Sequence, residues 1–150
     1  MEVSFAKILF CTDFSAVAAH ALKYAVKAAM RNKARLYVLH VVPEADAQFW
    51  KGYIVEDGSD LVARNRKTLL EKIRAEYGSV IPGEVEWEPC LDAGPASERI
   101  AAFVSEKDIS LVVLGRPRPR FLRSILFGSV AAKVVRTVQC PLLIIPESCP

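Results

Sequence analysis

Two glycines, Gly115 and Gly128, bracket four arginines, Arg116, Arg118, Arg120 and Arg123, and Ser129 follows the second glycine. The apolar run Leu111 to Leu114 ends at Gly115, as a buried strand does on leaving a sheet. Helix-like sequence, Val130 to Val138, follows Ser129. Glycine lets backbone N–H groups come close to a ligand, and a helix start presents unpaired N–H groups and a partial positive charge. Strand, glycine loop and helix start together predict an anion site, for phosphate above all. The arginines concentrate positive charge where such a group would arrive. No nucleophile–base pair accompanies them: there is no SxxK, no GxSxG and no phosphate-loop lysine after the glycines. The chemistry expected is binding, with hydrolysis at most slow and no catalytic residue assigned.

Regular alternation of strands and helices places these residues. Lys7–Cys11 reads as a strand, and Thr12-Asp13-Phe14-Ser15 as the turn into a helix whose apolar residues recur from Ala18 to Met30. Ser15 is the expected N-cap. Leu36–Val42 is a second buried strand, stopped by Pro43. A long connection from Pro43 to about Ser59 carries Phe49, Trp50 and Tyr53; a loop of this length is either functional or mobile, or its aromatics simply lie over the sheet. Leu61–Tyr77 is a charged amphipathic helix with Val62, Leu69, Ile73 and Tyr77 on one side. Val85–Glu88 alternates apolar and acidic, and Pro89 marks it as an edge strand. Gly94-Pro95 opens a helix with Ile100, Phe103 and Val104 inward. Ile109–Leu114 and Leu142–Ile145 are the last strands, the latter flanked by Pro141 and Pro146. Such alternation implies one domain, a doubly wound parallel sheet with helices on both faces. Ligands settle at the carboxyl edge of such sheets, where the winding reverses. Asp13, Val41 and Gly115 all fall at that edge.

Composition narrows the classes. The 150 residues carry 20 basic and 17 acidic side chains, and the four arginines of the loop account for the whole excess. A nearly neutral body with one short basic loop is not a general nucleic-acid binder. No apolar run approaches the roughly 18 residues of a membrane span, and Met1-Glu2-Val3-Ser4 lacks a basic leader, so a cytoplasmic protein is expected. Cys11, Cys90, Cys140 and Cys149 form no CxxC pair, and no metal site is expected. The first three read as inert strand fillers, while Cys149 is the one placed to cross-link subunits. His40 reads as a packed core residue and His20 as a solvated one.

The chain resembles the universal stress protein family over nearly its whole length. The resemblance rests on Lys7–Ser15, on Leu39-His40-Val41-Val42, and on Leu111–Pro146 with its closing Cys140-Pro141-Leu142-Leu143-Ile144-Ile145-Pro146. It implies a five-stranded parallel sheet of order 3-2-1-4-5, adenine nucleotide alpha hydrolase-like, in a homodimer joined through the C-terminal strand region. Nucleotide-binding members carry G-x2-G-x9-G-[ST] after the fourth strand. Gly115, Gly128 and Ser129 match, while Arg118 stands at the middle glycine between Pro117 and Pro119. Residues before proline are held extended, and Pro119 has no N–H to offer, so the usual cradle is half dismantled. Either arginine forks replace the lost donors, or the side chain closes the pocket and the protein is a scaffold acting through its dimer surface and arginine loop.

Carried over residue by residue, the resemblance implies roles for Thr12, Asp13, Val41, Gly115, Arg118, Gly128, Ser129 and Val130. Asp13 would contact adenosine, and Val41 would meet adenine through its backbone. Gly128, Ser129 and the Val130 N–H would hold phosphate at the helix start. The ligand implied is ATP or another adenine nucleotide or related phosphate compound, with magnesium only alongside it, and at most weak ATPase activity. For Asp13 and Ser129 a plain helix-capping role stands beside these readings.

Overall fold

The structure, a computed structural model, describes residues 2–42, 58–117 and 129–147. Among the described residues five strands and four helices alternate: β1 (Lys7–Cys11), α1 (Ala16–Asn32), β2 (Arg35–Val42), α2 (Gly58–Tyr77), β3 (Trp87–Ala93), α3 (Ala96–Lys107), β4 (Leu111–Arg116), α4 (Ser129–Thr137) and β5 (Leu142–Pro146). The strands form one parallel sheet of order β3-β2-β1-β4-β5. Each central strand is apolar on both faces because helices cover both. Ile8, Phe10, Leu36, Val38 and Val113 face α1 and α2, through Leu22, Ala25, Ile73 and Tyr77. Leu9, Leu39, Val112 and Leu114 face α3 and α4, through Ile100, Val104 and Val134. No helix among the described residues is long and apolar enough to cross a membrane.

Local chemistry explains the boundaries. Ser15 caps α1, its hydroxyl accepting from the Ala18 N–H at 3.1 Å. Lys33 closes the helix in the left-handed region, φ 51°. Helix α2 begins at Gly58, one turn before the expected Leu61. The third strand departs most from expectation, since β3 runs from Trp87 through Pro89 to Ala93. The Leu36 N–H donates to the Glu86 carbonyl and the Gly94 N–H to the Val42 carbonyl. By the alternation of a parallel ladder, Pro89 then turns its nitrogen away from β2 toward the open edge, where a missing N–H costs no bond. The proline therefore marks the edge without ending the strand.

His20 is also placed differently from expectation. It is half-buried, edge-on to Tyr24 at 5.6 Å, and its Nε2 is buried without a hydrogen-bond partner among the described residues. His20 and Tyr24 sit one turn apart on α1, and Tyr24 packs against the core. The aromatics Phe49, Trp50 and Tyr53, the arginines Arg118, Arg120 and Arg123, Gly128 and Cys149 lie outside the described residues.

Candidate functional site

The site is built from the first turn outward. After Cys11 the Thr12 N–H still donates to the Leu39 carbonyl at 2.9 Å, and then the chain leaves the sheet. Every polar group of Thr12 is engaged. Its carbonyl accepts from His40 Nδ1 at 2.8 Å, and its hydroxyl meets the Tyr77 hydroxyl and accepts from the Phe14 N–H at 2.9 Å. The Asp13 carboxylate accepts from the Ser15 N–H at 2.9 Å and remains exposed. Between them Phe14 adopts φ 64°, a conformation that costs a residue with a side chain about 1–3 kcal/mol. Its ring packs 4.7 Å from His40 and near-parallel to Tyr77 at 6.2 Å, with Lys72 Nζ 4.1 Å from the ring centre. His40 is thus half-buried and hydrogen-bonded, holding the turn rather than filling core.

Strand β2 outruns β1. The last partner pair between them is Cys11 with Leu39, so Val41 falls beyond it. Backbone groups of Arg35 and Leu39 point toward β1. The N–H and C=O of Val41, two residues on, point the same way, into the gap left where β1 turns off. On the other side of that gap stands Gly115 in β4. A Cβ there would lie 2.8 Å from Val17 Cγ1 and 3.0 Å from the Val17 carbonyl oxygen. Glycine is required here because the start of α1 crosses the strand at contact distance.

A cleft of about 380 Å³ opens between these elements, at the carboxyl edge where the strand order reverses between β1 and β4. Thr12, Asp13, Val41, Gly115 and Val130, far apart in sequence, all line it. Leu39, Ile100 and Leu114 form an apolar floor. The size and lining suit a small organic ligand held by few polar groups. Of the other expected site residues, Arg118 and Gly128 lie outside the described residues, and Ser129 opens α4. The sequence reading missed Cys11, Ala96, Pro117 and Glu147, which also line the cleft. Each lies within or just beyond the C-terminal end of a strand, the signal that could have found them.

Electrostatics at the cleft are mixed. The first turns of α1, α3 and α4 contribute Ala16, Ala96 and Val130 to the wall, so three helix N-termini converge on one space, which favours an anion. The charged side chains among the described lining residues are two carboxylates, Asp13 and Glu147. Burial pushes the Cys11 thiol far above its ordinary range, which leaves it protonated and unreactive. Burial, then the nearby Glu88 carboxylate, pushes Cys90 up to about 11, and burial raises Cys140 as well. The expectation of inert thiols at these three positions fits that chemistry. Among the described residues no cluster of three or more metal-ligating side chains occurs.

A doubly wound parallel sheet with an open cleft at its switch point is the class of domain this geometry defines. The family model for the universal stress protein family matches residues 4–146, and the chain belongs to that family. Universal stress protein MJ0531 of Methanocaldococcus jannaschii is 31% identical over 97% of this chain and 85% of that protein. The solved structure of the hypothetical protein MJ0577, from the same organism, covers 99% of this chain and 100% of its own, with TM-score 0.73 and 24% identity. A universal stress protein solved in complex with cAMP covers 97% of this chain and 100% of its own, with TM-score 0.66 and 17% identity.

Proposed function

We propose that the chain is a cytoplasmic binding and signalling module that takes an adenine nucleotide, or a related phosphate-bearing ligand, in the cleft between β1 and β4. The observation that carries this reading is the convergence of Asp13, Val41, Gly115 and Val130 on one cleft faced by three helix N-termini. The base would lie on the apolar floor and bond the free edge of Val41. Asp13 would accept from the ribose hydroxyls. Phosphate would rest against Gly128, Ser129 and the Val130 N–H, at the positive end of α4. Because the described charged lining is acidic, a polyphosphate would need the arginines of residues 116–123, Arg118 foremost, or a magnesium ion bound with it. The complex of a fold relative with cAMP supports the ligand class.

The reading includes a homodimer through the C-terminal strand. Its support is an open edge at β5, where Leu142, Leu143 and Ile144 are half-buried. That surface also favours the second reading, a ligand-free scaffold that docks a protein partner there and through the arginine loop. Turnover is expected to be absent or a weak ATPase.

Titration calorimetry with adenosine, AMP, cAMP, ADP and ATP tests the leading reading. Saturable binding of at least one, weakened by Asp13→Ala, is the expected result. No heat from any of them at millimolar concentration overturns it in favour of the scaffold.

A further inference from the structure

We infer that Tyr77, which does not line the cleft, is a positioning residue for Asp13: α2 locks the Asp13 turn from the opposite face of the sheet. The inference rests on the nucleotide reading of the cleft and adds to it a residue that touches no ligand. Tyr77 is 3% exposed, and a buried phenol hydroxyl needs a partner. Its partner is the Thr12 hydroxyl, which at the same time accepts from the Phe14 N–H. One oxygen therefore ties the last residue of α2 to the backbone on both sides of Asp13.

Phe14 supplies the second tie. Its left-handed backbone, φ 64°, is not one a phenylalanine takes unaided. The ring is held against His40 and Tyr77, with the Lys72 ammonium over it. That backbone conformation is what brings the Ser15 N–H back to the Asp13 carboxylate. Without the Tyr77 hydroxyl, Thr12 Oγ1 is free to rotate and the Phe14 N–H loses its fixed acceptor. Phe14 then relaxes out of the left-handed region, and Asp13 leaves the orientation that faces the cleft.

Tyr77→Phe keeps the ring and removes only the hydroxyl. Amide hydrogen exchange in the ligand-free protein reads the turn directly. Exchange at Phe14 and Ser15 is expected to quicken at least tenfold more than at core amides such as Leu36. Thr12→Val should reproduce this, and Thr12→Ser, which keeps the hydroxyl, should not. A uniform change across all amides means that Tyr77 only stabilises the core, and overturns the inference. Adenosine affinity gives the second arm. Tyr77→Phe should weaken it about tenfold in the native background and not at all in Asp13→Ala, whereas equal weakening in both overturns the inference. If the native protein gives no heat with adenosine, AMP, cAMP, ADP or ATP, the nucleotide reading falls, and the exchange result alone decides the positioning role.

Discussion

Gly115 of β4 and Val17 of α1 stand so close that a single methyl group on the glycine would lie 2.8 Å from Val17 Cγ1 and 3.0 Å from its carbonyl oxygen. Backbone atoms of a helix cannot yield as a flexible side chain does. Gly115→Ala should therefore push the start of α1 away from the sheet. Overpacking of this kind costs about 1–3 kcal/mol. Urea denaturation should show that loss, and adenosine titration should show weaker binding, because Ser15, Ala16 and Val17 form one wall of the cleft. An unchanged urea midpoint would overturn the tight approach of α1 to β4.

His20 offers a prediction of opposite sign. Its Nε2 is buried without a hydrogen-bond partner among the described residues, a position that costs stability for nothing visible in return. His20→Phe keeps an aromatic ring against Tyr24 and removes the stranded nitrogen. The substitution should stabilise the fold by about 1 kcal/mol, since an unmade buried hydrogen bond costs at least that much. Thermal unfolding at neutral pH reads the gain. A loss of stability would show that the nitrogen has a partner in solution.

Cys90 sets a pH dependence. Burial, and secondarily the nearby Glu88 carboxylate, pushes its thiol from an ordinary value of about 9.0 up to about 11. Between those values the folded chain keeps a proton that the unfolded chain has released. Raising pH then favours unfolding. The stability that Cys90 contributes is whole below pH 9 and declines as pH climbs toward 11. Cys90→Ala should flatten that decline in urea titrations run at pH 8, 9 and 10. In the native protein the thiol should react with iodoacetamide at pH 8 far more slowly than in the urea-unfolded chain, because the thiolate is the nucleophile.

How much of this was legible in the sequence depends on whether one residue or several carry the signal. Lys7–Cys11 and the Ser15 cap were legible because each is decided locally, by an apolar run and by a hydroxyl three residues before the N–H that it serves. Pro89 was half legible. It signals an edge, but the side of the ladder its nitrogen faces is set by β2, many residues away. The left-handed Phe14 was invisible, because phenylalanine is among the residues least expected there, and Tyr77, Thr12, His40 and Lys72 together hold it. Gly115 has a second reason to be glycine that its sequence neighbours do not show: it lines the cleft and also leaves room for the start of α1. His20 reads as solvated because a polar residue on an amphipathic helix is expected on the wet face, and its partial burial beside Tyr24 is set by tertiary packing. The lining of the cleft was legible at Asp13, Val41, Gly115 and Val130, and missed at Ala96, whose place is fixed only by the crossover of α3.

Ala96 permits a test of where the ligand sits that leaves the proposed polar contacts intact. It is the first residue of α3, half-buried, with its side of the helix forming the wall opposite α1. A first-turn position tolerates a large side chain at a propensity cost of a few tenths of a kcal/mol, roughly the aromatic penalty in a helix. An indole placed there would project into the 380 Å³ space and compete with a ligand for it. Ala96→Trp should leave the urea midpoint nearly unchanged while lowering adenosine affinity at least tenfold. Ala96→Ser, which adds one polar atom and little volume, should bind as the native protein does. Native affinity in the tryptophan variant would place the ligand outside the cleft and remove Asp13 and Val41 from its binding. A tryptophan effect on affinity with unaltered stability, by contrast, ties the ligand to this space by occupancy alone, independent of any charge or hydrogen bond.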